Sequence, residues 1–360
     1  MNSPLPNIMD LSLRDLKSSL TSMGGPAFRA LQIHEWLYRH HVASFDEMTI
    51  LPLPLRKKLG EAFSIKGLEI VDHKECTEDD CDAPTEKLLL RLPDGELIEA
   101  VIIASSERMT ACISSQAGCP LQCTFCATGR MGFKRNLSSG EMTAQVSALN
   151  TIALERSGKS ITNIVFMGMG EPLLNTENVM ETIENLSRRN YSPNFSQKKI
   201  TVSTVGIIPE ILRVANTGLK TKLAVSLHAA DQQKREALMP VAARQYPLKE
   251  LGKTLADYTA ITGIPVTVVY MLLEGINDSR EDAKRLAGFA KSFLCKINLI
   301  DYNPNINIDF SPVKRAARDM FQRYLIDSGL HVTVRKSYGT PINAACGQLA
   351  TTVRDNRINH

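Results

Sequence analysis

Three cysteines fall within eight residues in the stretch Cys119-Pro-Leu-Gln-Cys123-Thr-Phe-Cys126, at the spacing C-x3-C-x2-C. Thiols crowded this closely do not easily form a structural disulfide, and a tetrahedral zinc site asks for a fourth ligand. Cysteine thiolates also hold iron–sulfur clusters. Three of them on a [4Fe–4S] cube leave one iron open to a further ligand. A zinc knuckle or a set of redox thiols would use the same residues.

The chain has 360 residues, 43% of them hydrophobic, enough for one large core and a small accessory domain. No run of about 18 apolar residues occurs, so no membrane-spanning helix and no membrane partner is expected. Met1-Asn-Ser-Pro lacks the charged and apolar pattern of a signal peptide. The expected compartment is a reducing cytoplasm, where clustered cysteines serve metal and redox chemistry rather than disulfides. The net charge of +4 conceals an asymmetry: residues 1–100 sum to −6 and residues 101–360 to +10. A basic catalytic part suits a polyanion such as RNA, although an ordinary solvated surface has the same composition.

Residues 5 to about 65 read as short helices. Leu11, Leu13, Leu16 and Leu20 fall near helical spacing and Gly24-Gly25 ends that run; Pro26 opens a second helix with Phe28, Leu31, Ile33, Trp36 and Leu37 as apolar residues. Ser44 can cap a short turn, and Pro54 starts a third helix ending near Phe63. From 67 the pattern turns to β: Lys87-Leu-Leu-Leu-Arg-Leu and Glu96-Leu-Ile-Glu-Ala-Val-Ile-Ile flank the turn Pro93-Asp94-Gly95. Cys76 and Cys81, in an acidic loop, read as an exposed loop without function or as a metal clip. After the cysteine stretch, strands and helices alternate, beginning with a capping box at Ser138-Ser-Gly-Glu141. Repeated βα units imply a parallel sheet with crossover helices and ligands at the C-terminal ends of its strands.

Two motifs flank the cysteine stretch: Cys112-Ile-Ser-Ser-Gln-Ala-Gly-Cys119 before it and Ala344-Ala-Cys346-Gly-Gln-Leu near the end. The C-x3-C-x2-C spacing resembles that of radical SAM enzymes. With the flanking motifs, the chain from about Leu31 to Leu349 resembles the RlmN/Cfr family, which methylates an adenine of 23S ribosomal RNA. The resemblance implies an α/β fold: a partial (β/α)6 TIM-like radical SAM barrel with a small N-terminal helical domain and a β-hairpin extension. The corresponding boundaries are 1–66 for the helical domain, 67–104 for the hairpin, 105–345 for the core and 346–360 for a tail that begins with Cys346.

The resemblance also implies the chemistry. Cys119, Cys123 and Cys126 would hold a [4Fe–4S] cluster whose open iron chelates S-adenosylmethionine, with Phe125 against the adenine of that cofactor. Two molecules of S-adenosylmethionine would be used per turnover. One methylates the thiolate of Cys346. The other, cleaved at the reduced cluster, gives a 5'-deoxyadenosyl radical that takes hydrogen from the S-methyl group. The carbon radical adds to the base, Glu99 accepts the ring proton, and Cys112 attacks the sulfur of Cys346 to release the product and leave a disulfide. Gly170 and Glu171, in Met167-Gly-Met-Gly-Glu-Pro, and the strand-end residues Ser203, Ser226, Leu227, His228 and Asn303 would contact the cofactor.

Within the family, the RlmN type methylates C2 of adenosine 2503 in 23S rRNA and of adenosine 37 in tRNAs; the alternative Cfr type methylates C8 of the same rRNA adenosine. Partners implied are 23S rRNA, tRNA and a flavodoxin- or ferredoxin-like electron donor, with the enzyme working as a monomer. An adenine presented in an open loop suits this chemistry, since enzymes that act on a base take it out of the stack. Cys295 reads as core, and Arg130, Lys134 and Arg135 as phosphate contacts or a solvated loop. Pro84-Thr-Glu-Lys and Ser337-Tyr-Gly-Thr-Pro-Ile-Asn depart from the family pattern and bear on substrate positioning.

Overall fold

The computed structural model describes residues 5–349 apart from 39, 41, 78–83, 106, 189–194, 305–307 and 336–337. Three helices open it: α1 (Leu13–Ser22), α2 (Arg29–Tyr38) and α3 (Leu53–Ala62). The Ser12 hydroxyl caps α1 by accepting the Asp15 N–H at 3.0 Å. Leu16, Leu20, Ile33, Leu37 and Leu59 form the buried side of the bundle.

Four strands follow as an antiparallel meander: β1 (Glu69–Cys76), β2 (Thr85–Arg91), β3 (Leu97–Ala104) and β4 (Met109–Ile113). The Pro93-Asp94-Gly95 turn closes β2 onto β3, with the Leu92 N–H donating to the Glu96 carbonyl at 2.8 Å. A small ribbon of β5 (Gln116–Gly118) and β6 (Phe133–Asn136) brackets the cysteine loop and the short helix α4 (Ala127–Arg130). The alternating part then runs α5 (Ser139–Ser157), β7 (Asn163–Phe166), α6 (Thr176–Leu186), β8 (Ile200–Thr204), α7 (Ile208–Ala215) and β9 (Lys222–Ser226). It continues with α8 (Gln232–Leu238), α9 (Pro240–Gln245), α10 (Leu248–Thr262), β10 (Val266–Leu272), α11 (Arg280–Ala290), β11 (Cys295–Asp301), α12 (Arg315–Asp327) and β12 (Val332–Arg335).

All strands except β5 and β6 join one sheet in the order β1-β2-β3-β4-β7-β8-β9-β10-β11-β12. The pivot is β4, antiparallel to β3 and parallel to β7. From β4 to β11 six strands run parallel, and β12 adds a seventh. This is the partial TIM-like radical SAM barrel expected from the sequence. Its strand β10, Val-Thr-Val-Val-Tyr-Met-Leu, is buried at every position, as a strand covered on both faces must be. The meander continues the barrel sheet directly, so the hairpin stands beside the strand that carries Cys112.

The N-terminal bundle docks on α5. The capping box at Ser138 and Glu141 is present there. Gly140 lies so close to the bundle that a Cβ would stand 2.0 Å from the Met9 carbonyl oxygen, which also accepts the Tyr38 hydroxyl at 3.0 Å. Helices α8 and α9 and the β5–β6 ribbon had no counterpart in the sequence reading. They are short, and Pro240 divides what would otherwise be one helical run. Among the described residues, no helix is long and apolar enough to cross a membrane.

Candidate active site

The cysteine loop leaves β5 at Gly118, whose φ is +75° and where a Cβ would fall 1.9 Å from the Gly132 carbonyl oxygen. Only glycine fits a left-handed residue pressed against backbone. Hydrogen bonds tie the loop on two sides. The Thr124 N–H donates to the Leu238 carbonyl at the end of α8 at 3.0 Å. The Ala127 N–H donates to the Gly347 carbonyl at 2.8 Å, and the Thr128 hydroxyl to the Leu349 carbonyl at 3.1 Å. The loop is therefore wedged between α8 and the segment that carries Cys346.

A cleft at the C-terminal ends of the strands encloses roughly 1000 Å³ counting its mouth, the scale of a site for a nucleoside-sized ligand. Its lining gathers Cys119, Cys123, Cys126, Phe125, Gly170, Glu171, Ser203, Ser226, His228 and Cys346. Ten residues picked from sequence thus meet on one cavity, although they come from five separate stretches of chain.

Glu171 is buried, accepts the N–H groups of Leu173 at 3.0 Å and Val205 at 2.9 Å, and still faces the cleft. Burial pushes its carboxyl up to about 7, against the pull of those donors. Gly170 before it has φ +97°, and a Cβ there would meet the Gln116 Cβ at 2.5 Å. The same Gln116 accepts the Glu171 N–H at 2.9 Å. His228 takes a left-handed φ of +54°. Its Nδ1 accepts the Met271 N–H at 3.1 Å, which leaves the ring proton on Nε2 as a donor. Burial pushes the ring down to about 3, so it is neutral. Its edge meets Phe125 with ring centroids 4.9 Å apart.

A second, smaller cavity adjoins the first. Cys112, Ile103, Met167, Arg335, Ala344 and Cys346 are among its walls. Cys346 and Arg335 line both cavities. Cys112 and Cys346, 234 positions apart in sequence, are brought together, and both are free thiols; the disulfide expected between them is absent from this state. Burial pushes the Cys112 thiol up to about 12; the neighbouring Cys346 adds to the rise and the Arg335 guanidinium opposes it.

Three expected site residues stand elsewhere. Leu227 is fully buried behind the cleft wall, its N–H donating to the Val269 carbonyl at 3.0 Å. Asn303 also lies off the lining, its amide donating to the Cys346 carbonyl at 3.4 Å. Glu99 lines neither cavity. It is buried on β3, with Oε1 3.0 Å from Nζ of the equally buried Lys87. Strand register puts it near Cys112: Val101, two residues on, pairs with both Cys112 and Lys87.

Other expectations are corrected. Arg135 is committed to Asp94 and, through two nitrogens, to Glu141, so it is not a free phosphate contact. Cys76 is disulfide-bonded, neither a metal clip nor a free thiol, while Cys81 and Ser337 lie outside the described residues. The sequence reading missed Lys87, Arg335, Asn298 in the cleft wall, and Asn277. The Asn277 amide donates to the carbonyls of His228 and Met271, both at 2.7 Å. A lysine inside a strand of leucines was the one local signal among these.

The donor set suits a cluster. Three cysteines face one cleft, and the backbone N–H groups of Thr128 and Gly129 are turned to the Cys126 sulfur, as ligating thiolates require. Among the described residues, no three Cys, His, Asp or Glu side chains converge as they would on a single ion. A cube asks for wider spacing, because each thiolate binds its own iron.

Comparison with known proteins shows the family. Residues 113–287 match the radical SAM superfamily, and residues 6–65 match the ribosomal RNA large subunit methyltransferase N-terminal domain. The chain is 66% identical to a protein of Pelodictyon phaeoclathratiforme described as a probable dual-specificity RNA methyltransferase RlmN, over 99% of both chains. A protein of Chlorobaculum tepidum with the same description is 53% identical over 96% of this chain and 93% of its own. The crystal structure of a radical SAM methyltransferase from Sphaerobacter thermophilus superposes with a TM-score of 0.88 at 41% identity, covering 96% of this chain and 99% of that one. The cysteine loop, the barrel around it and likeness over almost the whole length lead to one conclusion: the chain belongs to the RlmN family of radical SAM methyltransferases.

Proposed function

We propose that the protein methylates C2 of an adenine in RNA, in 23S rRNA and in tRNA, with Cys346 as methyl carrier and Cys112 as the thiol that resolves the product. The observation that carries this reading is the position of Cys346, in the wall of both the cysteine-loop cleft and the Cys112 cavity. A methyl carrier has to face the cofactor that loads it and the thiol that unloads it.

In this reading Cys119, Cys123 and Cys126 hold a [4Fe–4S] cluster. Glu171 accepts from the ammonium of S-adenosylmethionine, Ser203, Ser226 and the Nε2–H of His228 meet its polar edges, and Phe125 covers an apolar one. The bound cofactor supplies a carbon-centred radical at the cleft. A first molecule of S-adenosylmethionine would serve as methyl donor: the Cys346 thiolate attacks its methyl carbon, the sulfonium–methyl bond breaks, and S-adenosylhomocysteine leaves. After that carbon has lost a hydrogen atom to the cofactor-derived radical and been joined to the base, the Cys112 thiolate would attack the Cys346 sulfur; the carbon–sulfur bond breaks and a disulfide forms, which an external dithiol reduces to two thiols while it is itself oxidised to a disulfide. Glu99, ion-paired to Lys87 on the Cys112 side of the sheet, takes the ring proton. A flavodoxin- or ferredoxin-class donor supplies the electron. The basic charge of residues 101–360 suits an RNA substrate.

The test is nucleoside mass spectrometry of rRNA and tRNA treated with anaerobically reconstituted enzyme, methyl-labelled S-adenosylmethionine and a reductant. Labelled 2-methyladenosine is expected from the wild type and none from Cys346→Ala. Labelled 8-methyladenosine would move the protein to the C8 type, and no methyladenosine from an enzyme that still cleaves the cofactor would defeat the reading.

A further inference from the structure

Among the described residues, Arg235 on α8 is the bulkiest side chain with no exposed surface. Its Nη1 donates to the Tyr246 carbonyl at 2.7 Å and its Nη2 to the Val205 carbonyl at 2.8 Å, while Nε has no partner. No carboxylate pairs with it among the described residues. Two neutral carbonyls do not balance a full charge, and an uncompensated buried cation is costly. A fold that needed only two carbonyls held could use a neutral donor.

Its surroundings say what balances it. Three residues further along α8, the Leu238 carbonyl accepts both the N–H and the hydroxyl of Thr124, inside the cysteine loop. The residue so held, Thr124, directly follows Cys123, and the Arg235 charge acts on the Cys123 sulfur in the sense that favours its thiolate. The strand-end residue Val205, which accepts from Arg235, donates its own N–H to Glu171 in the cleft. Arg235 thus sits behind the cluster ligands, sealed from water and outside the cleft lining.

We propose that Arg235 is the built-in counter-cation of the iron–sulfur cluster, a positioning residue that makes the cluster easier to reduce. The inference rests on the cluster reading above. A [4Fe–4S] core with a 2+ charge and three thiolates carries a net charge of −1. One electron from an external donor takes the core to 1+ and the whole to −2, with no bond made or broken. A fixed cation favours the more negative state. In a medium of low dielectric this favours reduction by about tenfold, or ~59 mV for a one-electron couple.

The experiment compares reconstituted wild type, Arg235→Lys and Arg235→Gln by redox titration with mediators, following the reduced cluster by electron paramagnetic resonance, with iron content measured on each. Both variants lose the guanidinium fork, but only the glutamine loses the charge. The expected result is a potential near wild type for the lysine and a clearly more negative one for the glutamine. Thermal unfolding of the cluster-free proteins is a second readout: there Arg235→Gln, relieved of an unpaired charge, should unfold no earlier than Arg235→Lys. Equal potentials for the two variants at equal iron content would overturn the proposal and leave Arg235 a strut between Tyr246 and Val205. Failure of the wild type to assemble a [4Fe–4S] cluster would instead overturn the cluster reading and this inference with it.

Discussion

Nζ of Lys87 lies 3.0 Å from Oε1 of Glu99, with 3% and 1% of the two side chains exposed. The same nitrogen donates to the Asn343 carbonyl at 3.2 Å. One buried lysine therefore connects the carboxylate proposed as proton acceptor to the segment bearing Cys346. Removing one partner of a buried ion pair leaves the other uncompensated, at a cost of about 3–5 kcal/mol. Lys87→Met should lose stability on that scale in urea unfolding, and the double variant with Glu99→Gln should recover most of it. Equal losses in the single and double variants would mean that the pair is not coupled.

The shared position of Cys346 separates the two thiols by the stage at which each variant stops. Cys346→Ala should take up no labelled methyl group on the protein. Cys112→Ala should take it up and then retain RNA covalently, because nothing attacks the Cys346 sulfur. Denaturing gels of labelled enzyme with RNA read both outcomes, and a freely released product from Cys112→Ala would remove that cysteine from the pathway.

Gly170 combines a φ of +97° with a Gln116 Cβ that a new methyl would meet at 2.5 Å. Gly170→Ala pays backbone strain of about 1–3 kcal/mol and displaces Glu171. S-adenosylmethionine binding, measured by equilibrium dialysis on the cluster-loaded protein, should weaken by about tenfold or more.

Two buried histidines set an acid limit. Burial pushes His34 on α2 down to about 4 and His228 to about 3, from 6.5. Both folded values lie below the unfolded one. Below pH 6.5 the unfolded chain therefore binds protons that the native chain refuses, and stability is lost as the pH falls. Each unit of pH in that window costs about 1.4 kcal/mol per histidine. Glu171, raised to about 7, acts in the opposite sense between pH 7 and 4.5, so a comparison of variants isolates the effect. His34→Leu should flatten the fall in urea midpoint of cluster-free protein between pH 7 and 5. An unchanged slope would show that His34 is already protonated in the native state.

What could be read from sequence was whatever is written in local spacing. The cysteine triplet, the Ser138–Glu141 capping box, the Pro93–Gly95 turn and the Gly-Met-Gly-Glu run each declare themselves within a few residues, and each stands where expected. The pairing of Lys87 with Glu99 spans two strands, and that of Arg135 with Asp94 reaches from the ribbon to the hairpin turn. Lys87 beside a run of leucines hints at a buried charge, but no local spacing names Glu99 or Asp94 as a partner. Arg235 was silent for the same reason: in Asp231-Gln-Gln-Lys-Arg it looks like any solvated helix residue, and only the packing of α8 beneath the cysteine loop seals it in. Leu227 was carried over from the family resemblance together with Ser226 and His228; its side chain is buried off the cleft lining.

The bonds from Ala127 to Gly347 and from Thr128 to Leu349 also bear on how the protein is made. The cysteine loop emerges from the ribosome more than 200 residues before its partners. The strands from β4 to β11 can close around a cluster cleft while residue 346 is still unsynthesised, as domains fold during translation. A nascent or stalled chain would then have the cleft but not Cys346, the cysteine proposed as methyl carrier, and the proposed chemistry on RNA would wait for that segment.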